Sequence, residues 1–160
     1  MVVPPLDVGV WRSTGPVPAG SAGGGRGRPE PGRPAPVDAD IEGVAPGDGD
    51  ARVLPGSRSS PTSCGGSRGP SRSRAFLASG KVGAAICHAP WLLVGVGAAK
   101  GRTMTSCASI RTDVVDAGAE WHDAPVVADR GVVTDRNPGD RDAFTAKIIE
   151  EVAGDRHRAA

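Results

Sequence analysis

Apolar residues are spread unevenly along these 160 residues, and their spacing predicts ordered elements mainly in the second half. AFLASG (75–80) fits the last turn of a helix closed by Gly80, and KVGAAI (81–86) is a short apolar run suited to a strand covered on both faces. Cys87 follows directly. The stretch HAPWLLVGVGAA (88–99) is apolar enough for a buried helix, with Pro90 tolerated in its first turn. A strand, a sharp turn and a helix in that order make the βα unit of a parallel sheet. Further on, residues 102–106 suit a short strand, and Ser109 suits the N-cap of a helix over 110–117 that stops at Gly118. VVADRGVVT (126–134) sets two β-branched runs around Arg130-Gly131, a hairpin pattern. Residues 140–153 carry Phe144, Ile148, Ile149 and Val152 at helical spacing with Gly154 as stop, so one face of that helix should be buried.

The first half reads differently. Residues 1–36 pass through GPVPAGSAGGGRGRPEPGRPAP, where Pro removes backbone donors and Gly raises the entropy lost on ordering, and disorder is expected. Over 37–56 some pattern returns as a degenerate strand that ends at Val53-Leu54 and turns at Pro55-Gly56. SRSSPTSCGGSRGPSRSR (57–74) has no apolar periodicity and reads as a low-complexity loop, and 155–160 as a charged tail. Most of the 24 Gly and 15 Pro fall before residue 75, and aromatics make up only 3% of the chain, so any core must be local to residues 75–154.

Charge and cysteine count exclude several classes. A net charge of +1 supplies no global field for nucleic acid or an acidic membrane, and the Arg residues between Arg58 and Arg74 read as a solvated basic stretch. No apolar run reaches the ~18 residues that a membrane span needs, and no charged start precedes an apolar segment, so a cytoplasmic protein is expected. Cys64, Cys87 and Cys107 are odd in number with no C-x-x-C pair, which argues against a disulfide framework and a zinc site. No metal or cofactor is expected.

Candidate chemistry converges on Cys87. A thiol attacks as thiolate, and a helix N-terminus favours that anion. At a strand-to-helix elbow the nucleophile holds a strained backbone that tolerates only small residues two before and two after it; here these are Ala85 and Ala89. The backbone N–H of His88 is placed to hold an oxyanion, and its imidazole to act as base or acid. The plainer alternative is that a Cys ending an apolar strand is a small buried hydrophobe. Cys64 reads as a free thiol without function, Cys107 as a packing residue, and His122 and His157 as solvent-exposed. Capping and solvation account for Asp129, Asp135 and Asp140.

From Ala75 to Val152, the segments AICHAPWLL, SIRTD, AGAEW and RNPGD together resemble the C-terminal half of the PfpI/ThiJ family of intracellular cysteine proteases and glyoxalase-type enzymes. Upstream, DARVLPG resembles that family's strand and turn ending in LPGG, with Ser57 in place of the second Gly. The family's CHG is CHA here, and its acidic residue beside the nucleophile, supplied early in the domain, has no matching position. The resemblance implies an α/β fold, a flavodoxin-like three-layer sandwich with a parallel sheet, here partial. It also implies Cys87 as nucleophile, His88 as its partner, and an oxyanion hole from the His88 N–H and the turn at Gly56-Ser57. The substrate implied is a peptide or a small carbonyl compound, processed by a cysteine-dependent hydrolase or a glyoxalase/deglycase, in a homo-oligomer. The alternative reading is a non-enzymatic remnant or binding module of the same fold. The Arg/Gly/Pro/Ser texture of 1–36 and 57–74, beside family-like DARVLPG and AFLASGK, fits a reading frame lost and regained.

Overall fold

The computed structural model describes residues 11–12, 39–40, 45–56 and 68–154. The chain divides into two compact units, Met1–Ala45 and Pro46–Ala160. In the first, β1 (Trp11–Arg12) pairs in parallel with β2 (Ala39–Asp40). Residues 1–10, 13–38, 41–44, 57–67 and 155–160, with Ser57, Cys64 and His157, lie outside the described residues.

The second unit is built on a four-stranded sheet. Its order is β3 (Ala51–Leu54), β4 (Val82–Ile86), β8 (Val132–Asp135) and β7 (Val126–Asp129). The first three strands run parallel, and β7 joins β8 antiparallel. The sheet is therefore mixed, and the hairpin expected over 126–134 accounts for the antiparallel edge. Its turn is Arg130-Gly131, with φ of 48° and 77°, the left-handed pair that a two-residue hairpin turn requires. A second pairing, β5 (Thr103–Met104) with β6 (Glu120–Trp121), runs parallel.

Strand β4 is apolar because both its faces are covered. Ala85 faces a layer that includes Leu93, Met104, Ile110 and Val114. Val82 and Ala84 face Phe144, with Ile148 and Val152 packed alongside. The first layer holds α1 (Arg68–Ala78), α2 (Pro90–Gly95) and α3 (Arg111–Asp116), and the second holds α4 (Arg141–Ala153). Gly83 allows α1 to approach the sheet, because a Cβ there would lie 2.3 Å from Leu77 Cδ2.

Four expectations need correction. Helix α1 begins at Arg68, inside the stretch read as loop. Its described buried positions are only Ser73 and Phe76, too few for apolar periodicity to show in the sequence. Helix α2 spans six residues and stops at Gly95; Gly97 at φ +73° turns the chain away well before Ala99. Ser109 does not cap α3. It lies within the 3₁₀ turn Ala108–Ile110, whose N-cap Cys107 makes no side-chain cap bond, and Ile110 occupies the N-cap of the helix. In α4, Phe144 is buried but Ile149 is 39% exposed, so the buried stripe follows Phe144, Ile148 and Val152 alone.

Candidate active site

Strand β4 ends at Ile86 and delivers Cys87 into a backbone conformation with φ of 63°. This is left-handed space that a side chain with a Cβ occupies at a cost of order 1–3 kcal/mol. The bend persists because its neighbours fix it. The Cys87 N–H donates to Asp135 O at the end of β8 (3.0 Å), the Ala89 N–H donates to Ile86 O (3.0 Å), and the Cys107 N–H donates to Cys87 O (3.0 Å). Ala85 and Ala89 are both buried, and Ala89 adopts ordinary right-handed angles (φ −62°, ψ −25°), so a methyl fits where the related pattern has Gly. If φ strain is the stored quantity, Cys87→Gly should be more stable than Cys87→Ala by about 1 kcal/mol, read from paired thermal melts; equal melting points would show the bend to be unstrained.

Gly56 abuts this bend. A Cβ on it would stand 2.1 Å from Ile86 O, 2.8 Å from His88 N and 3.0 Å from Cys87 Cβ. The turn after β3 thus touches the elbow through Gly56. Ser57, the other half of the expected turn donor, lies outside the described residues.

The side chains form a connected ring. Cys87 Sγ is 3.1 Å from His88 Nδ1, and His88 Nε2 is 3.0 Å from Ser109 Oγ. Ser109 Oγ in turn lies 3.2 Å from Cys107 Sγ, and the Cys107 backbone N–H donates to Cys87 O (3.0 Å). The donor atoms of Cys87, His88 and Cys107 all fall within 4.8 Å of one another. Ser109 and Cys107 were read as a cap and a packing residue. Cys107 does pack against the core, but its sulfur also faces the site.

Burial pushes the Cys87 thiol above its usual range, the neighbouring Cys107 pushes it further by charge and hydrogen bond, the His88 backbone N–H pulls it down, and Asp135 adds a smaller upward push. Burial opposes the expected helix-favoured thiolate, because helix α2 starts only at Pro90 and is six residues long, which limits the help its dipole gives Cys87. The imidazole of His88 is in contact with the sulfur.

Asp135 is a second correction. It is 0% exposed, not a solvated turn residue. One carboxylate oxygen accepts the Asn137 N–H, and the other has no hydrogen-bond partner among the described residues. Burial raises its pKa, the Asn137 bond opposes this, Asp140 adds to the rise and Arg136 offsets it. Asp140 and Asp129, also assigned to capping and solvation, instead pair with Arg136 and Arg130, and Asp140 at the N-cap of α4 makes no side-chain cap bond; exposed His122 pairs with Glu120.

The sequence motifs acquire physical roles around this ring. In SIRTD, Ser109 reaches His88, Ile110 is buried, Arg111 stacks 4.9 Å over the Trp121 ring, and Asp113 accepts the Trp91 indole N–H (2.7 Å). In RNPGD, Asn137 accepts the Gly139 N–H and donates to Asp140, while Arg136 is clamped by Asp140 and Asp123. Arg136, Asn137, Trp121 and Cys107 line an open cleft of about 340 Å³. Cys107 thus links the cleft to the ring around Cys87.

A parallel-centred α/β sheet with helices on both faces, and a positive-φ cysteine beside a histidine at the end of an inner strand, define the class: an α/β protein with a strained strand-to-helix bend. The chain belongs to the DJ-1/PfpI family, which matches residues 20–151. It is 40% identical over 114 residues to a deglycase of Thermococcus kodakarensis, covering 71% of this chain and 69% of that protein. It is also 40% identical over 114 residues to protein/nucleic acid deglycase 2 of Escherichia coli, covering 71% and 66%. Among solved structures, DJ-1beta of Drosophila melanogaster superposes with a TM-score of 0.62 at 34% identity, over 69% of this chain and 60% of that one. No helix among the described residues is long and apolar enough to cross a membrane.

Proposed function

We propose that the chain is a cysteine-dependent deglycase, acting on small carbonyl adducts of amines, with Cys87 as nucleophile and His88 as its proton acceptor. The observation that carries the reading is the 3.1 Å contact between Cys87 Sγ and His88 Nδ1 at a backbone bend of φ 63°. In the first step Sγ bonds to the carbonyl carbon of the adduct, and the S–H proton passes to Nδ1. The carbonyl π pair becomes an oxyanion. The His88 N–H is the donor assigned to it, aided by the turn that starts at Gly56. The imidazolium so formed donates through Nε2 to Ser109 Oγ, 3.0 Å away, which orients the ring and holds its charge. Ala85 and Ala89 support the bend by their small size. A thiol whose pKa burial raises suits this sequence of events, because deprotonation is coupled to attack. The relatives named as deglycases favour this substrate class over a peptide bond. A homo-oligomer is part of the same reading, by family.

The test is release of free amine from a methylglyoxal-treated amino acid. Cys87→Ala should reduce turnover to background, and His88→Ala should lower kcat by about 10²–10⁴-fold. Cleavage of unmodified casein without amine release would shift the assignment to a peptidase. The raised Cys87 pKa favours a second reading, a binding module with an inert thiol. That reading predicts slow iodoacetamide labelling at neutral pH, unchanged by His88→Ala, and no turnover of either substrate.

A further inference from the structure

We infer that Cys87, His88 and Cys107 form a binding site for a thiophilic divalent cation, zinc in the first instance, with three protein ligands and one open position. The sequence hides this site. The two cysteines stand on separate loops with no short C-x-x-C spacing; the backbone bond from Cys107 N–H to Cys87 O (3.0 Å) and the contact of His88 Nε2 with Ser109 Oγ (3.0 Å) bring those loops together.

Four observations support it. The two sulfurs and the imidazole nitrogen lie within 4.8 Å of one another. Zn–S bonds of about 2.3 Å and Zn–N bonds of about 2.0–2.1 Å at tetrahedral angles separate ligand atoms by roughly 3.5–4 Å, so the cation fits with only small side-chain movement. The tautomer is also suitable. Ser109 Oγ sits 3.0 Å from His88 Nε2; when Nε2–H donates to it, the Nδ1 lone pair faces the sulfur of Cys87 and the cation. That is the outer-shell arrangement that orients metal-bound histidines. All three ligands are partly exposed, which leaves an entry path. Finally, Asp135 adjoins the site through its backbone O, which accepts the Cys87 N–H (3.0 Å), and this fully buried residue keeps one carboxylate oxygen without a hydrogen-bond partner among the described residues.

Binding is a proton exchange. The cation takes two thiolates and a neutral imidazole, and the two thiol protons leave to solvent, with no change of oxidation state. The product is a neutral complex whose fourth position is taken by water. Because the sulfur of Cys87 is a ligand in it, the cation occupies the nucleophile of the proposed reaction, and occupancy blocks alkylation and turnover until a chelator removes it.

The experiment uses the full chain carrying Cys64→Ser, so that only the two ligand thiols remain. Zinc is titrated against a chromophoric chelator, and the loaded protein is examined by X-ray absorption. The expected result is one zinc per chain, with two sulfurs near 2.3 Å and at least one nitrogen near 2.0 Å. Cys107→Ser should weaken binding at least tenfold and leave a single sulfur; Ser109→Ala should weaken it about tenfold while keeping both sulfurs. Unchanged affinity in Cys107→Ser, or fewer than two sulfurs in the parent protein, overturns the site. None of these readouts depends on amine release, so failure of the metal site and failure of the deglycase reading are separately visible.

Discussion

Gly56→Ala is expected to unseat the elbow: a loss of about 1–3 kcal/mol in stability, seen as a melting-point drop on the order of 5–15 °C, with Cys87 alkylation altered in the same protein. The added methyl would lie 2.1 Å from Ile86 O and 2.8 Å from His88 N. Neither obstacle is a side chain that can rotate away. Ile86 O already accepts the Ala89 N–H at 3.0 Å, and that bond closes the turn holding Cys87 at positive φ. Relief therefore requires either β3 to slide along β4, against four registered pairs from Ala51↔Val82 to Leu54↔Ala85, or the elbow to open. Sliding costs sheet hydrogen bonds, and opening separates Sγ from Nδ1. A Gly56→Ala protein with the parent's melting point and alkylation profile would show that this turn does not press on the elbow in solution.

That turn was legible in the sequence because Val53-Leu54-Pro55-Gly56 is local: an apolar pair, then a residue that cannot continue a strand, then one without a Cβ. The same holds for β4, the Arg130-Gly131 hairpin and α4, where each element announces itself within a dozen residues. Failures occurred where distant contacts overrule local preference. A Ser just before an apolar helix is a good N-cap by propensity, yet Ser109 bonds to His88 Nε2, 21 positions back in the chain. Helix α1 draws its order from Leu77 against Gly83 and from Arg74, whose guanidinium donates to Val96 O (2.8 Å); neither contact is visible as periodicity among Arg, Ser and Gly.

For the site, the pair Cys87-His88 and its small neighbours could be read directly because one bend holds them all. The rest of the ring could not. Cys107 and Asp135 reach Cys87 through backbone bonds to its carbonyl and amide, and nothing in their flanking residues marks them as neighbours of a thiol. Asp135 in particular sits in TDRNPGD, a polar stretch that suggests solvent. The strand's last carboxyl is nevertheless buried, because β8 lies between β4 and β7 and the following Arg136-Asn137 turn closes over it.

This burial yields a result of definite sign. Asp135→Asn should stabilise the protein at neutral pH and leave it nearly unchanged in acid. An unperturbed Asp titrates near 3.9, and burial raises Asp135 above that in the fold, against the opposing Asn137 hydrogen bond. Between the unfolded and folded pKa values the native state holds a proton that the unfolded chain has lost, so stability falls as pH rises through this window. The contribution is complete below the unfolded value and gone above the folded one, where a carboxylate stands buried with one oxygen unpartnered among the described residues. Asparagine keeps an acceptor for the Asn137 N–H and removes the ionisation. The stability gain should grow from near zero at pH 3–4 to roughly 1–3 kcal/mol at pH 7, measured by urea unfolding across that range. Removing the charge also takes away one of the influences that hold the Cys87 thiol up, after burial and Cys107, so the alkylation midpoint should move to lower pH in the same variant. A variant less stable than the parent at pH 7 would mean that the carboxylate is compensated in the fold, and that its negative charge does not bear on the sulfur as argued.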